Sequence, residues 1–461
     1  MYLNIDKKLG DNIAVESDDG KVLSYDDICN FVAKFPKILS GRCLIFLLCK
    51  NKIESLLGYL AAIENNVVPV MLNSKIENDL LFNLFSIYHP QYIWLPSDKV
   101  SLFDGDTIYT YYDYSLIKTK YDSYKLNDKL ALCLTTSGST GSPKLVRLSK
   151  YNLESNASSI AEYLNIDENE RPITSLPMNY SYGLSVINSH LLKGAKILLT
   201  DKDVLQSEFW TFCKDKRATS ISGVPYTYEM LKRLRIFKMS LPDLKVMTQA
   251  GGKLNPNIAK EYMEYAKQSG KRFYVMYGQT EATARISYLP WEVAFDKCAS
   301  IGVAIPNGKL TLIDANDNEI TVPDVEGEML YEGPNVSLGY AECIEDLQKG
   351  DENGGILHTG DIAKQDADGY YYITGRMKRF LKIYGQRISL DGLDQMIKDE
   401  FDTDCYCSGN DQKLRILVTN ETILDKVAMF LESKIHVFHK DIDVIYVEEI
   451  KRNESGKVIM Q

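Results

Sequence analysis

Short apolar, β-rich runs alternate with amphipathic segments along most of this chain, a pattern that predicts an α/β fold with parallel strands. "RCLIFLLC" at 42–49 reads as a buried strand and "IESLLGYLAAIEN" at 53–65 as the helix after it. "LALCL" at 130–134 is another core strand, and the polar decapeptide "TTSGSTGSPK" follows it at 135–144. In "SKYNLESNASSIAEYL" at 149–164, Ser149 is the expected cap, and Leu153, Ala157, Ile160, Ala161 and Leu164 share one face. "LKVMT" at 244–248 and "RFYVM" at 272–276 are further strands, each running into a polar, glycine-containing turn. Ligands in such sheets bind outside the carboxyl ends of the strands, so these turns are where a site is expected.

The texture changes after about Tyr340. "YYYIT" at 370–374 leads through Gly375 and Arg376 into the basic stretch "MKRFLKIYGQR", and a smaller β/α pattern follows. Its last helix has Thr422 as expected cap and a stripe of Ile423, Val427, Phe430, Leu431 and Ile435. The expected division is a large N-terminal domain of mixed and parallel sheets flanked by helices, with a small β-subdomain, over 1–377. A small, mobile α+β domain is expected over 378–461.

Composition narrows the function classes. Of 461 residues, 45% are hydrophobic and 25% charged, the balance of an ordinary globular protein. The net charge of -10 argues against a broad nucleic-acid or anionic-membrane surface. Nine scattered cysteines include only one close pair, Cys405 and Cys407, without metal-finger spacing, so reduced buried thiols are expected. "MYLNIDKKLGDN" lacks a secretory apolar core, and the apolar run at 43–49 falls far short of the ~20 residues a membrane helix needs. A cytoplasmic protein without a membrane span is expected.

The decapeptide holds six hydroxyls, two glycines and a lysine. Freed backbone amides, short hydroxyls and a cation between a strand and a helix N-terminus make an anion cradle. The ATPase P-loop fails on spacing: Gly138 and Gly141 are separated by two residues, and Lys144 lies three past Gly141.

Together with later blocks, this loop resembles the signature of the AMP-forming adenylation superfamily, which includes acyl- and aryl-CoA synthetases, amino-acid adenylation domains and luciferases. "YGQTEAT" at 277–283 looks like its Y-G-x-T-E block, and "GEMLYEGPNVSLGY" at 327–340 like its G-E…G-Y block. "HTGD" at 358–361 matches T-G-D, "ITGRMKRFLKIYGQRIS" at 373–389 the hinge block, and "NESGKV" at 453–458 the terminal lysine motif. The blocks occur in family order over nearly the whole chain.

The resemblance implies joining of a carboxylate to the α-phosphate of ATP, loss of pyrophosphate, and attack of a thiol on the acyl-adenylate. It implies ATP and Mg²⁺, with CoA or the phosphopantetheine of a separate acyl carrier protein as acceptor. Two anions must meet, so positive charge and oriented dipoles are needed. Thr136, Ser137, Gly138, Ser139, Thr140 and Lys144 would hold the β- and γ-phosphates. Thr280 would bond phosphate and Glu281 would position Mg²⁺. Adenine would lie between Gly251, Gly252 and Lys253 on one side and Tyr277 and Gly278 on the other. Asp361 and Arg376 would take the ribose and phosphate side, with Lys382 facing the nucleotide. Lys378 is the hinge position, and Lys457 would bridge the substrate carboxylate and α-phosphate.

The acyl end departs from the family. Amino-acid-activating relatives place an aspartate where this chain has Gly183, which disfavours an α-amino acid. Acyl and aryl ligases often carry a histidine where Tyr180 stands. Tyr182, Tyr226 and Gly302 take the acyl-pocket positions. The expected activity is ligation of a non-amino carboxylic acid to a thiol. A standalone amino-acid adenylating enzyme and a non-catalytic nucleotide-binding relative are the alternatives.

Overall fold

The computed structural model describes residues 1–39, 41–135, 144–377, 379–384, 386–410, 412–435, 437–452 and 458. The chain divides into two compact units, Met1–Lys309 with Glu332–Leu357, and Leu310–Tyr331 with His358–Gln461. Each is built on mixed sheets covered by helices, as the alternating pattern predicts.

The first unit holds two large sheets. In one, the strand Leu44–Cys49 is buried throughout and runs parallel to both Val68–Asn73 and Tyr92–Pro96. An uninterrupted apolar run is what a strand covered on both faces requires. In the other sheet, Ser220–Gly223, Val246–Gln249 and Arg272–Tyr277 run parallel, in a register that pairs Ile221 with Met247 and Met247 with Phe273. Their carboxyl ends therefore lie side by side. Helix Lys150–Tyr163 begins at the expected cap: Ser149 accepts from the Asn152 amide, and Asn152 returns a bond to the Ser149 amide.

One expectation about the decapeptide is corrected. Strand Leu130–Thr135 pairs antiparallel with a second strand, Leu145–Ser149, so that Cys133 faces Arg147 and Thr135 faces Leu145. The polar stretch thus joins two strands, and the helix starts only after the second. "LVRLS" forms a strand because every one of its residues is buried and paired, leaving no solvent face for a helix.

In the second unit, Ile356–Gln365 and Tyr371–Arg376 pair antiparallel. Lys413–Val418 lies between Cys405–Asn410 and Ile442–Tyr446. Leu393, Ile397, Ile416, Val427 and Leu431 form the core where helices Leu390–Phe401 and Leu424–Ile435 meet this sheet. Thr422 is not the helix cap. A short 3-10 turn, Glu421–Ile423, precedes the helix, and Asn420 caps that turn by accepting from the Thr422 amide. All nine cysteines are free thiols. Among the described residues, no helix is long and apolar enough to cross a membrane.

Candidate active site

Residues 136–143, Lys378 and Lys457 lie outside the described residues, as does the side chain of Lys382, so Thr136, Ser137, Gly138, Ser139 and Thr140 are not placed. Lys144, the last member of the loop, is placed. Its ammonium lies 3.6 Å from the centre of the Tyr340 ring and 3.5 Å from Glu342 Oε1. The Tyr340 hydroxyl donates to Glu281 Oε1 at 2.8 Å. One tyrosine thus joins the loop cation to the carboxylate of the Y-G-x-T-E block. Burial and the Glu281 charge push the Tyr340 hydroxyl pKa well up, so it remains a donor.

Arg147 positions Tyr340. It is fully buried two residues into the strand after the loop, and its guanidinium donates to the carbonyls of Leu338, Tyr340, Lys349 and Gly350 and to Glu352. These bonds hold the strand Gly339–Ala341 against Leu145–Ser149, with Tyr340 opposite Val146. Neither Tyr340 nor Arg147 was singled out from sequence. Tyr340 could have been, as the last letter of the G-E…G-Y block; an isolated arginine in an apolar strand carries no comparable signal.

Thr280 and Glu281 stand on a 3-10 turn, Thr280–Ala282, at the carboxyl end of Arg272–Tyr277. The turn is tied down from behind: Asn335 donates to the carbonyls of Ala282 and Arg285, Thr283 donates to the Asn335 carbonyl, and the Ser337 amide donates to the Glu281 carbonyl. The Thr280 and Ser181 hydroxyls are 3.3 Å apart. Tyr277 is half-buried and its hydroxyl accepts from Gln279. A side chain at Gly278 would meet the Ala284 carbonyl oxygen at 1.7 Å, so only glycine fits there.

Gly251, Gly252 and Lys253 are exposed just past Val246–Gln249. Gly251 has φ +86°, and Gln249 shapes the turn by donating to the Gly252 carbonyl. In the second unit, Asp361 and Arg376 are paired across adjacent strands, with Arg376 Nε 3.1 Å from Asp361 Oδ1.

The three acyl-pocket positions have different surroundings. Tyr182 is buried, and its hydroxyl contacts both the carbonyl and the side-chain oxygen of Thr248 at 2.8 Å. Tyr226 is exposed at the start of helix Pro225–Arg233. Gly302 has φ +84°, and a side chain there would meet the Tyr288 carbonyl oxygen at 1.8 Å. Gly183 is confined in the same way: a Cβ would lie 2.2 Å from the Pro177 carbonyl oxygen.

Among the described residues no cluster of three or more acidic, histidine or cysteine side chains could hold a metal by itself. Glu281 beside the Thr280 hydroxyl suits a hard cation that takes its remaining ligands from phosphate oxygens and water, which is how Mg²⁺ binds with nucleotides.

A family model described as "AMP-binding enzyme" matches residues 5–341. The chain is 25% identical over 470 residues to 2-succinylbenzoate–CoA ligase of Oceanobacillus iheyensis, covering 97% of this chain and 95% of that one. It is 31% identical over 275 residues to oxalate–CoA ligase of Arabidopsis thaliana, covering 59% of this chain and 52% of that one. Among solved structures, it superposes on O-succinylbenzoate coenzyme A synthetase (MenE) from Bacillus subtilis in complex with AMP. The TM-score is 0.80 at 18% identity, over 99% of this chain and 96% of that one. ATP-bound MatB from Rhodopseudomonas palustris gives 0.79 at 20% identity, over 100% and 97%. These superpositions establish a common fold.

Proposed function

This chain belongs to the AMP-binding enzyme family, and from that premise we propose how its residues divide the work. It is an ATP-dependent ligase that activates a carboxylic acid as its adenylate, releases pyrophosphate, and passes the acyl group to a thiol. The two relatives described above are named CoA ligases, and CoA is the acceptor.

The joined cluster of Lys144, Tyr340 and Glu281 carries the assignment of roles. Two anions react in the first step, and fixed positive charge must offset their repulsion. Lys144, with residues 136–140, holds the β- and γ-phosphates. Its perch on Tyr340 keeps the ammonium near Glu281 while leaving it free to reach a phosphate. Glu281, held by the Tyr340 hydroxyl, holds Mg²⁺, which supplies charge neutralisation on the triphosphate when bound. Thr280 donates its hydroxyl to phosphate. Gly251, Gly252 and Lys253, with Tyr277 and Gly278, take the adenine, while Asp361 and Arg376 take the ribose side.

Lys457 bridges the carboxylate and α-phosphate in the first step. The segment 378–461 moves as a small domain about Lys378 to admit the thiol. A separate phosphopantetheinyl carrier protein is the second acceptor to try.

An α-amino acid fits poorly. Its ammonium would want the family's aspartate at position 183, where the Pro177 carbonyl leaves no room for any side chain.

ATP–pyrophosphate exchange across aliphatic, aryl, hydroxy and amino acids tests the reading. Lys457→Ala is expected to lower exchange by at least about 100-fold, the scale of removing one transition-state charge contact, while ATP binding and the thermal midpoint are kept. Exchange near wild type in that variant would overturn the role given to Lys457.

A further inference from the structure

The role given to Lys457 demands accurate placement, because misplacing a reacting group by about 1 Å costs on the order of 100-fold in rate. Lys457 lies outside the described residues, but a residue on each side of its motif is placed. Arg452 and Val458, which flank "NESGK", pair as an isolated antiparallel bridge. Val458 follows Lys457 directly in the chain, so whatever holds Val458 also fastens that end of the motif. In a bridge of this kind the two Cα atoms lie about 4.5–5.5 Å apart.

Arg452 is in turn held by its side chain. Its Nη2 donates to both carboxylate oxygens of Asp404, at 2.6 and 2.7 Å. Asp404 stands just before strand Cys405–Asn410, and its carbonyl accepts from the Thr419 amide at 3.2 Å, just past strand Lys413–Val418. Lys398, on helix Leu390–Phe401, places its Nζ 3.5 Å from Asp404 Oδ1. The approach to Arg452 is tied as well: the Val447 amide donates to the Val418 carbonyl at 3.0 Å, and Ile450 is buried. All of these groups belong to the second unit. The pair is partly open to water, with the Arg452 side chain 27% and the Asp404 side chain 39% exposed. Ion pairs so placed add little to stability, so the fold has small need of this one. What it fixes is the base of the lysine motif.

We propose that Arg452, fastened by Asp404, is a positioning residue for Lys457 in the activation of the acid. It acts through its bridge to Val458 and touches neither the acid nor the nucleotide. Arginine suits this task because its planar guanidinium is pre-organised and loses less freedom per hydrogen bond than a lysine does. The proposal rests on the role given to Lys457 above, which belongs to the first step alone. There a carboxylate oxygen of the acid bonds the α-phosphorus and pyrophosphate leaves. In the second step the thiol sulfur bonds the acyl carbon and AMP leaves. Loosening the anchor of Lys457 therefore slows the first step and spares the second.

The test measures the two steps separately on the full chain, as wild type, Arg452→Met, Arg452→Lys and Asp404→Asn. The first step is read as pyrophosphate exchange with the acid that wild type activates fastest. The second is read as CoA thioester formed from the synthetic adenylate of that acid. Arg452→Met is expected to lose at least about tenfold in kcat for exchange, within the scale of a misplaced reacting group. KM for ATP and the rate of the thioester step should stay within about twofold of wild type. Arg452→Lys should regain part of the loss, and Asp404→Asn should show the same split between steps. In a Lys457→Ala background, Arg452→Met should cost nothing further, since the group it positions is gone. Unchanged exchange in Arg452→Met overturns the proposal, as do both steps falling together or an equal further loss in the Lys457→Ala background. Should Arg452→Met not fold, the isosteric Asp404→Asn decides by the same split. Full exchange in Lys457→Ala alone would instead remove the role of Lys457 beneath the proposal.

Discussion

Lys144 and Arg285, both in the first unit, sit over tyrosine rings, and their surroundings differ. Lys144 lies over Tyr340 with its side chain 36% exposed and Glu342 nearby. Arg285 lies over Tyr182 in the interior with no ion-pair partner among the described residues. The exposed lysine is solvated, so its ring contact is worth only about 0.5–1 kcal/mol and is easily exchanged for a phosphate. The buried arginine has little water to return to, so it stays against the Tyr182 ring and the Tyr163 side chain. The same contact holds an exchangeable group in one place and a fixed one in the other.

The sharpest way to separate the two regions is acid. His190 and Arg285 line the same small cavity, and the His190 Nδ1 donates to the Val186 carbonyl, which fixes a neutral tautomer. Burial holds its folded pKa at about 4, below the usual value near 6.5. The unfolded chain therefore binds the extra proton between these values, and stability falls as pH drops from about 6.5 to about 4. The expected loss from this group approaches about 3 kcal/mol at pH 4. His190→Gln should flatten that part of a denaturation-versus-pH curve, and an unchanged curve would contradict a buried neutral histidine.

The next test applies one substitution to both regions. Tyr182→Phe removes a buried hydroxyl with two bonds to Thr248, and the expected loss is about 1–3 kcal/mol in urea titration. The smallest effect on the fold is expected for Tyr340→Phe, within about 0.5 kcal/mol, because Tyr340 is only partly buried. Its consequence lies in exchange activity, which should fall by up to about tenfold as Glu281 loses the Tyr340 hydroxyl donor. Equal stability losses in the two variants would erase the distinction between the regions.

Much of the fold was legible from local pattern. The uniformly apolar run at 44–49 declared a doubly covered strand, and Ser149 declared a helix start, because burial and capping act over a few residues. Where two elements competed, pattern was insufficient. Nothing in "LVRLS" itself announces a strand until its pairing with Leu130–Thr135 is seen. Asn420 displaced Thr422 as cap because a 3-10 turn was inserted ahead of the helix, a choice set by how the chain enters the small core.

The sequence by itself determined the chemistry class. Phosphate loops, glycine turns and catalytic lysines depend on residue types at short, fixed spacings, and those spacings survive in the linear chain. Tertiary structure alone decided which distant groups meet. Tyr340 reaches Glu281 across 59 positions, Arg147 anchors that tyrosine from 193 positions away, and the burial of Arg285 against Tyr182 is apparent only once the chain is packed. Local interactions are encoded by neighbours in sequence, whereas the loss of water around a side chain is a property of the packed whole.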